Sequence, residues 1–134
     1  MQLIFVYGTL KRGFSRHSAI ANQRYLGIAF SSPKYSMFHI SGFPALIEDS
    51  KDGKEIWGEL YEVSDECLMR LDEIEGVLHN LFQRCPITLS SFNLSNLPTT
   101  KATIEGLNKH EAIAYVYQKD ISGARDCGHC FTLR

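Results

Sequence analysis

The stretch Ile56-Trp57-Gly58-Glu59-Leu60-Tyr61-Glu62-Val63-Ser64-Asp65-Glu66-Cys67-Leu68-Met69-Arg70-Leu71-Asp72-Glu73-Ile74-Glu75-Gly76 changes its hydrophobic period halfway along, and that change decides the fold class. Up to Val63 the residues alternate roughly between apolar and polar, with aromatic and branched side chains, as in a half-buried strand. Trp57 and Tyr61 share one face of that strand, with Glu59 between them, and are read as packing residues. From Ser64 the apolar residues recur at intervals of three and four. Ser64 suits an N-cap, Asp65 and Glu66 suit the positive end of the helix dipole, and Gly76 stops the helix. The spacing predicts a helix over 65–75. At about 100° per residue, Cys67, Leu68, Leu71 and Ile74 fall on one face, which should pack on a sheet.

Outward from this unit, most of the remaining signals are β. Leu3 to Tyr7 is a short apolar run closed by Gly8. Tyr25 to Phe30, Tyr35 to Ile40 and Phe43 to Ile47 are punctuated by Ser31-Ser32-Pro33-Lys34 and Ser41-Gly42. Leu81 to Ser90 and Ala112 to Gln118 complete the set. A short helix is expected within 15–23, and the polar stretch 93–110, with Pro98 and Thr99-Thr100, reads as a surface connection. Many strands against one main helix, in mostly non-alternating order, imply an α+β fold with a mixed, partly closed, barrel-like sheet.

With 134 residues and 44% hydrophobic composition, the chain is sized for a single domain over residues 1–134 with one core. A net charge of -1, from 14 basic and 15 acidic residues, offers no basic stripe for nucleic acid and no polybasic membrane anchor. No apolar run approaches the roughly 18 residues of a membrane span, and Met1 to Tyr7 reads as a strand and not a signal peptide. Cys67, Cys85, Cys127 and Cys130 are therefore expected to be reduced thiols of a cytoplasmic protein.

Glu75 is set apart from the other acidic residues of the helix. It follows Leu71 by four and Leu68 by seven and so lies on their side, whereas Asp65, Glu66 and Glu73 fall opposite and Asp72 lies toward solvent. Partial desolvation and the negative end of the helix dipole should both raise its proton affinity, as suits a general base. Geometry alone equally allows a carboxylate that borders the core and pairs with a neighbour such as Arg84.

The N-terminal run Phe5-Val6-Tyr7-Gly8-Thr9-Leu10-Lys11-Arg12-Gly13 resembles the signature of the gamma-glutamylcyclotransferase-like family, particularly its gamma-glutamylamine cyclotransferase branch. His17, Phe43-Pro44-Ala45-Leu46, Gly58-Glu59-Leu60-Tyr61-Glu62-Val63, Leu71-Asp72-Glu73-Ile74-Glu75-Gly76 and Leu81-Phe82-Gln83-Arg84 extend the likeness over two thirds of the chain. Arg16 stands where Asn often precedes the His, and Phe82 where Tyr is usual; both departures bear on substrate preference more than on reaction type. The resemblance implies a barrel-like α+β fold that releases 5-oxoproline and a free amine from a small-molecule γ-glutamyl substrate, without cofactor or metal. It makes Glu75 the catalytic acid and base. Tyr7, Gly8, Thr9 and Leu10 become the substrate-binding loop, through backbone groups that Gly8 lets approach closely. N–H groups near Gly8 are expected to hold the tetrahedral oxygen, the alternative being that Gly8-Thr9 only ends a strand.

Two other functions are weighed against this one. A non-catalytic ligand- or protein-binding module on the same fold would not need Glu75. A thiol oxidoreductase would use Cys127-Gly128-His129-Cys130, which is identical to the dithiol of protein disulfide isomerases. That dithiol normally opens a helix, whereas only Phe131-Thr132-Leu133-Arg134 follow here, and Asp126 disfavours a thiolate beside it. A zinc site would require Cys67 or Cys85 to converge on the tail. The segment is read as an incidental tail.

Overall fold

The computed structural model describes residues 1–130. Five strands close a barrel in the order β1-β5-β2-β6-β7: β1 (Gln2–Val6), β2 (Arg24–Ser31), β5 (Trp57–Val63), β6 (Phe82–Leu94) and β7 (Glu111–Tyr117). Neighbours are antiparallel except at the seam, where β1 runs parallel to β7 with Ile4 opposite Ile113. A second sheet, β4-β3-β8, is made of β3 (Tyr35–Ile40), β4 (Phe43–Glu48) and the two-residue β8 (Arg125–Asp126). The expected mixed, barrel-like sheet forms, and where partial closure was expected the five strands close fully.

Strand β1 shows why its sequence is continuously apolar. Leu3, Phe5 and Tyr7 join Leu26, Leu60, Ile87, Ala112 and Ala114 inside the barrel, while Ile4 and Val6 belong to a second cluster with Leu68, Leu71, Phe82 and Tyr115. Alternate side chains thus enter two cores, so from Leu3 onward neither face of β1 carries a polar residue.

Helix α1 (Asp65–Ile74) packs Cys67, Leu68 and Leu71 into the second cluster, and the Ser64 hydroxyl accepts the Cys67 N–H at 3.1 Å. Burying a leucine of this stripe stabilises the fold by about 1.5–3 kcal/mol. Ile74 departs from the wheel: it is 38% exposed, because the stripe is covered at its start, where the Cys67 thiol meets Ala19 O, and not at its end. Gly76 ends the helix in the left-handed region at φ 66°. The short helix expected within 15–23 is a single 3₁₀ turn, His17–Ala19.

The stretch 93–110 corrects the sequence reading. Its start extends β6, and Lys101–Asn108 forms a second helix, α2. Its amphipathic period is close to that of α1, but Pro98 and Thr99-Thr100 just before it read as turn formers. It is held by Glu62, fully buried on β5, whose carboxylate accepts from Thr99 N–H (2.8 Å), Thr100 N–H (3.1 Å) and the hydroxyls of Thr99 (2.8 Å) and Thr103 (2.5 Å). A buried anion at the start of a helix satisfies orphan donors there and complements the dipole. The threonines that read as turn formers are its ligands.

Candidate active site

Where β1 leaves the barrel, the chain makes a tight loop instead of a hairpin. The carbonyls of Gly8, Thr9 and Leu10 are tied down by residues further on: Lys11 N–H (3.1 Å), Arg16 N–H (2.9 Å) and the His17 Nδ1–H (2.9 Å), respectively. The N–H groups of the same three residues have no acceptor among the described residues. Gly8 needs no unusual φ. A Cβ there would sit 2.5 Å from Pro44 Cγ, so glycine is required by the approach of β4. The Phe43-Pro44-Ala45-Leu46 stretch therefore braces the loop.

A second anchor is Glu59, only 3% exposed on β5. Its carboxylate accepts the Arg12 N–H at 3.0 Å and the Tyr61 hydroxyl at 3.2 Å, and meets Arg12 Nε at 3.4 Å. Trp57 faces the other side of the loop, with Lys11 Nζ 4.6 Å from its ring centre. Trp57 and Tyr61 pack, as expected, and neither lines the pocket described next.

An open pocket lies over this loop. The consecutive residues Tyr7, Gly8, Thr9 and Leu10 and the distant Glu75 all line it. Phe5, Val6, Phe43, Pro44 and Phe82 supply apolar wall, and Tyr115 and Arg16 complete it. Phe82 stacks edge-on with its cross-strand partner Tyr117, ring centres 5.2 Å apart, so the position is filled by packing without a hydroxyl.

Glu75 caps α1, its N–H bonded to Leu71 O at 2.8 Å, and is half-buried. Its carboxylate has neither a hydrogen bond nor an ion pair among the described residues. Burial against the apolar wall raises its pKa from the ordinary 4.5 to about 7, with the positive charge of Arg16 working in the opposite direction. The pairing with Arg84 that geometry alone allowed does not form. Arg84 Nε meets Asp72 at 3.1 Å, and the Tyr115 hydroxyl donates to the same Asp72 oxygen at 2.7 Å. Arg84 and Tyr115 are cross-strand partners on β6 and β7, so both reach one carboxylate; Asp72 is thereby drawn in from the solvent side where the wheel put it. Tyr7 closes the back of the site by donating to Tyr115 O at 2.5 Å. Burial, and then the Glu75 charge, push its phenol well above its ordinary value, which keeps it a donor.

The C-terminal segment is not an incidental tail. β8 pairs with β3, Cys127 N–H donates to Met37 O (2.7 Å), and His129 O accepts from Trp57 N–H (2.8 Å). The four cysteines are unbridged. Burial and then Asp126 push the Cys127 thiol up, contrary to what a reactive dithiol needs. Among the described residues no three His, Cys, Asp or Glu side chains are grouped to hold a metal, and no helix is long and apolar enough to cross a membrane. The part of the dithiol argument that concerned Phe131 to Arg134 falls outside the described residues.

An unpaired glutamate with a raised pKa in the same pocket as a loop with spare N–H donors is an arrangement able to exchange protons with a small molecule, and comparison with known proteins gives the class. Residues 4–129 match the family described as Gamma-glutamyl cyclotransferase, AIG2-like, and the chain belongs to that family. It is 30% identical over 125 residues to the gamma-L-glutamyl-butirosin B gamma-glutamyl cyclotransferase of Niallia circulans, covering 90% of this chain and 69% of that one. It is 33% identical over 93 residues to gamma-glutamylaminecyclotransferase A of Danio rerio, covering 64% and 57%. The crystal structure of an AIG2-like protein from Mus musculus superposes with a TM-score of 0.68 at 22% identity, over 100% of this chain and 97% of that one, and shares the fold. Four curated relatives are matched over only 51% to 63% of their own length.

Sequence reasoning missed Tyr115, the Asp72–Arg84 pair and the anchoring role of Glu59. Their signals were faint: an aromatic in an apolar strand, and polar residues whose partners lie on other strands.

Proposed function

We propose that the protein is a γ-glutamyl cyclotransferase that releases 5-oxoproline and a free amine from a γ-glutamyl amine or peptide, with Glu75 as general base and acid. The observation that carries this reading is the unpaired Glu75 carboxylate with its pKa raised to about 7, in the same pocket as the Tyr7 to Leu10 loop. A group poised near neutrality can both take and return a proton. Glu75 takes a proton from the substrate's α-ammonium, and the freed amine attacks its own γ-carbonyl carbon. The γ C–N bond then breaks, with the leaving nitrogen protonated by Glu75. Two protons leave the α-nitrogen in all and two reach the leaving nitrogen, so charge balances.

Nucleophile and electrophile belong to one molecule, and well-oriented intramolecular reactions reach effective molarities of about 10⁵–10⁸ M. One base and one oxyanion site therefore suffice, and no cofactor enters. The spare N–H groups of Gly8, Thr9 and Leu10 are the donors offered to the tetrahedral oxygen. The unbridged cysteines agree with a cytoplasmic location.

The test is to incubate the protein and its Glu75→Gln form with a panel of γ-glutamyl amines and dipeptides and to measure 5-oxoproline. Product from the unmodified protein alone is expected. No product across the panel would favour a binding module on this fold, and equal rates for both forms would remove Glu75 from the mechanism.

A further inference from the structure

The pocket has two charged lining residues, Glu75 and Arg16, placed at different depths. Glu75 is half-buried and Arg16 is exposed. The backbone of Arg16 is fixed: its N–H donates to Thr9 O at 2.9 Å, and its carbonyl accepts from Ala19 N–H at 3.0 Å. Its guanidinium has no carboxylate within 4.0 Å and no hydrogen bond among the described residues, whereas those of Arg12, Arg24 and Arg84 meet Glu59, Glu62 and Asp72 at 3.4, 3.9 and 3.1 Å. A planar cation held at the mouth of a pocket and left unmatched by the protein suits a carboxylate brought by the ligand.

We infer that Arg16 is a specificity-determining residue, selecting γ-glutamyl compounds whose leaving amine carries a carboxylate beside the scissile nitrogen over those whose leaving amine is neutral or cationic. The inference rests on the cyclotransferase reading for the direction of the substrate. With the α-ammonium at Glu75, the γ-carbonyl follows and the leaving amine points to the mouth, where it must exit. A carboxylate two bonds from the leaving nitrogen then comes within the range of the long Arg16 side chain. An ammonium in the same position meets a like charge. A neutral group leaves the guanidinium to water and gains nothing.

The test uses an isosteric pair, γ-glutamylglycine and γ-glutamylglycinamide. Catalytic efficiency for 5-oxoproline release is measured for the protein, Arg16→Gln and Arg16→Lys. Calorimetry measures binding of both compounds to Glu75→Gln and to Glu75→Gln/Arg16→Gln. The unmodified protein should prefer the acid by about tenfold, the worth of one charge-assisted contact. Arg16→Gln should bring that ratio to about one, and Arg16→Lys should retain part of it. Using the ratio removes any effect of Arg16 on Glu75, which is common to both compounds. An equal proportional loss on the two compounds would overturn the inference, because Arg16 would then be holding the shared γ-glutamyl carboxylate. Equal use of both by the unmodified protein would overturn it as well. If no 5-oxoproline forms but Glu75→Gln binds the acid preferentially and Glu75→Gln/Arg16→Gln does not, recognition of the carboxylate by Arg16 stands as a binding preference and the cyclotransferase reading falls. Equal affinity of Glu75→Gln for the acid and the amide counts against Arg16 directly.

Discussion

Glu62 and Glu75 flank one strand–helix unit, and the protein treats them in opposite ways. Glu62 is sealed at the end of β5 and surrounded by donors from Thr99, Thr100 and Thr103. Glu75, just past α1, is less deeply buried and has no donor. Burial alone would raise both; the threonine hydrogen bonds hold Glu62 below its ordinary value, while Glu75 rises to about 7. A buried carboxylate becomes a base when the fold withholds donors and a structural pin when the fold supplies them. Glu59 lies between, with one donor from the loop after β1, Arg12 N–H, and one from its own strand, the Tyr61 hydroxyl.

The largest expected effect that sharpens this contrast is on turnover. Glu75→Gln should lower 5-oxoproline release by roughly 10²–10⁴-fold, measured by single-substrate kinetics at pH 8. Glu62→Ala should instead act on the fold. Stripping a buried network of its acceptor costs roughly 3 kcal/mol, read as a lower urea midpoint, with the pH–activity inflection unmoved. If Glu62→Ala shifts that inflection, the division of roles is wrong.

Stability against pH separates the pair by sign. The folded-state pKa of Glu75 is raised, so between about 4.5 and about 7 the unfolded chain ionises first and Glu75 progressively subtracts stability as pH rises. Glu75→Gln should therefore be more stable than the unmodified protein at pH 8 by on the order of 1–3 kcal/mol, with the difference gone near pH 4. Glu62 has a lowered folded pKa, so its contribution is present above its unfolded pKa and is lost as pH falls through the folded one. Urea titrations at several pH values measure both. Glu59→Gln tests the intermediate case: a loss of about 1 kcal/mol and a KM raised several-fold through a looser loop, without a shifted inflection. The smallest effect concerns Arg16. Activity should rise with pH through about 7, and Arg16→Gln should move that inflection upward, since the guanidinium favours ionised Glu75.

Much of this was legible in the chain before folding. The period change at Ser64, the cap and the stop at Gly76 give α1, and the wheel places Glu75 on its packed side. The loop after β1 announces itself by the apolar run and glycine. Helix α2 was not legible, because Pro98 and Thr99-Thr100 read as turn formers and the Glu62 carboxylate that binds the threonines lies on a distant strand. Nor was the drawing-in of Asp72, which depends on Arg84 and Tyr115 facing each other across β6 and β7.

The sequence by itself determined most of the strands, helix α1 and the α+β class, because period and capping are properties of neighbouring residues, and its resemblance to a family paired the Tyr7 to Leu10 loop with Glu75 as site candidates. Only the tertiary structure decided which carboxylates are satisfied. Whether Glu75 finds a donor, whether Arg84 goes to it or to Asp72, and whether Arg16 meets a partner depend on strands far apart in the chain. The desolvation that tunes a base arises from that long-range packing.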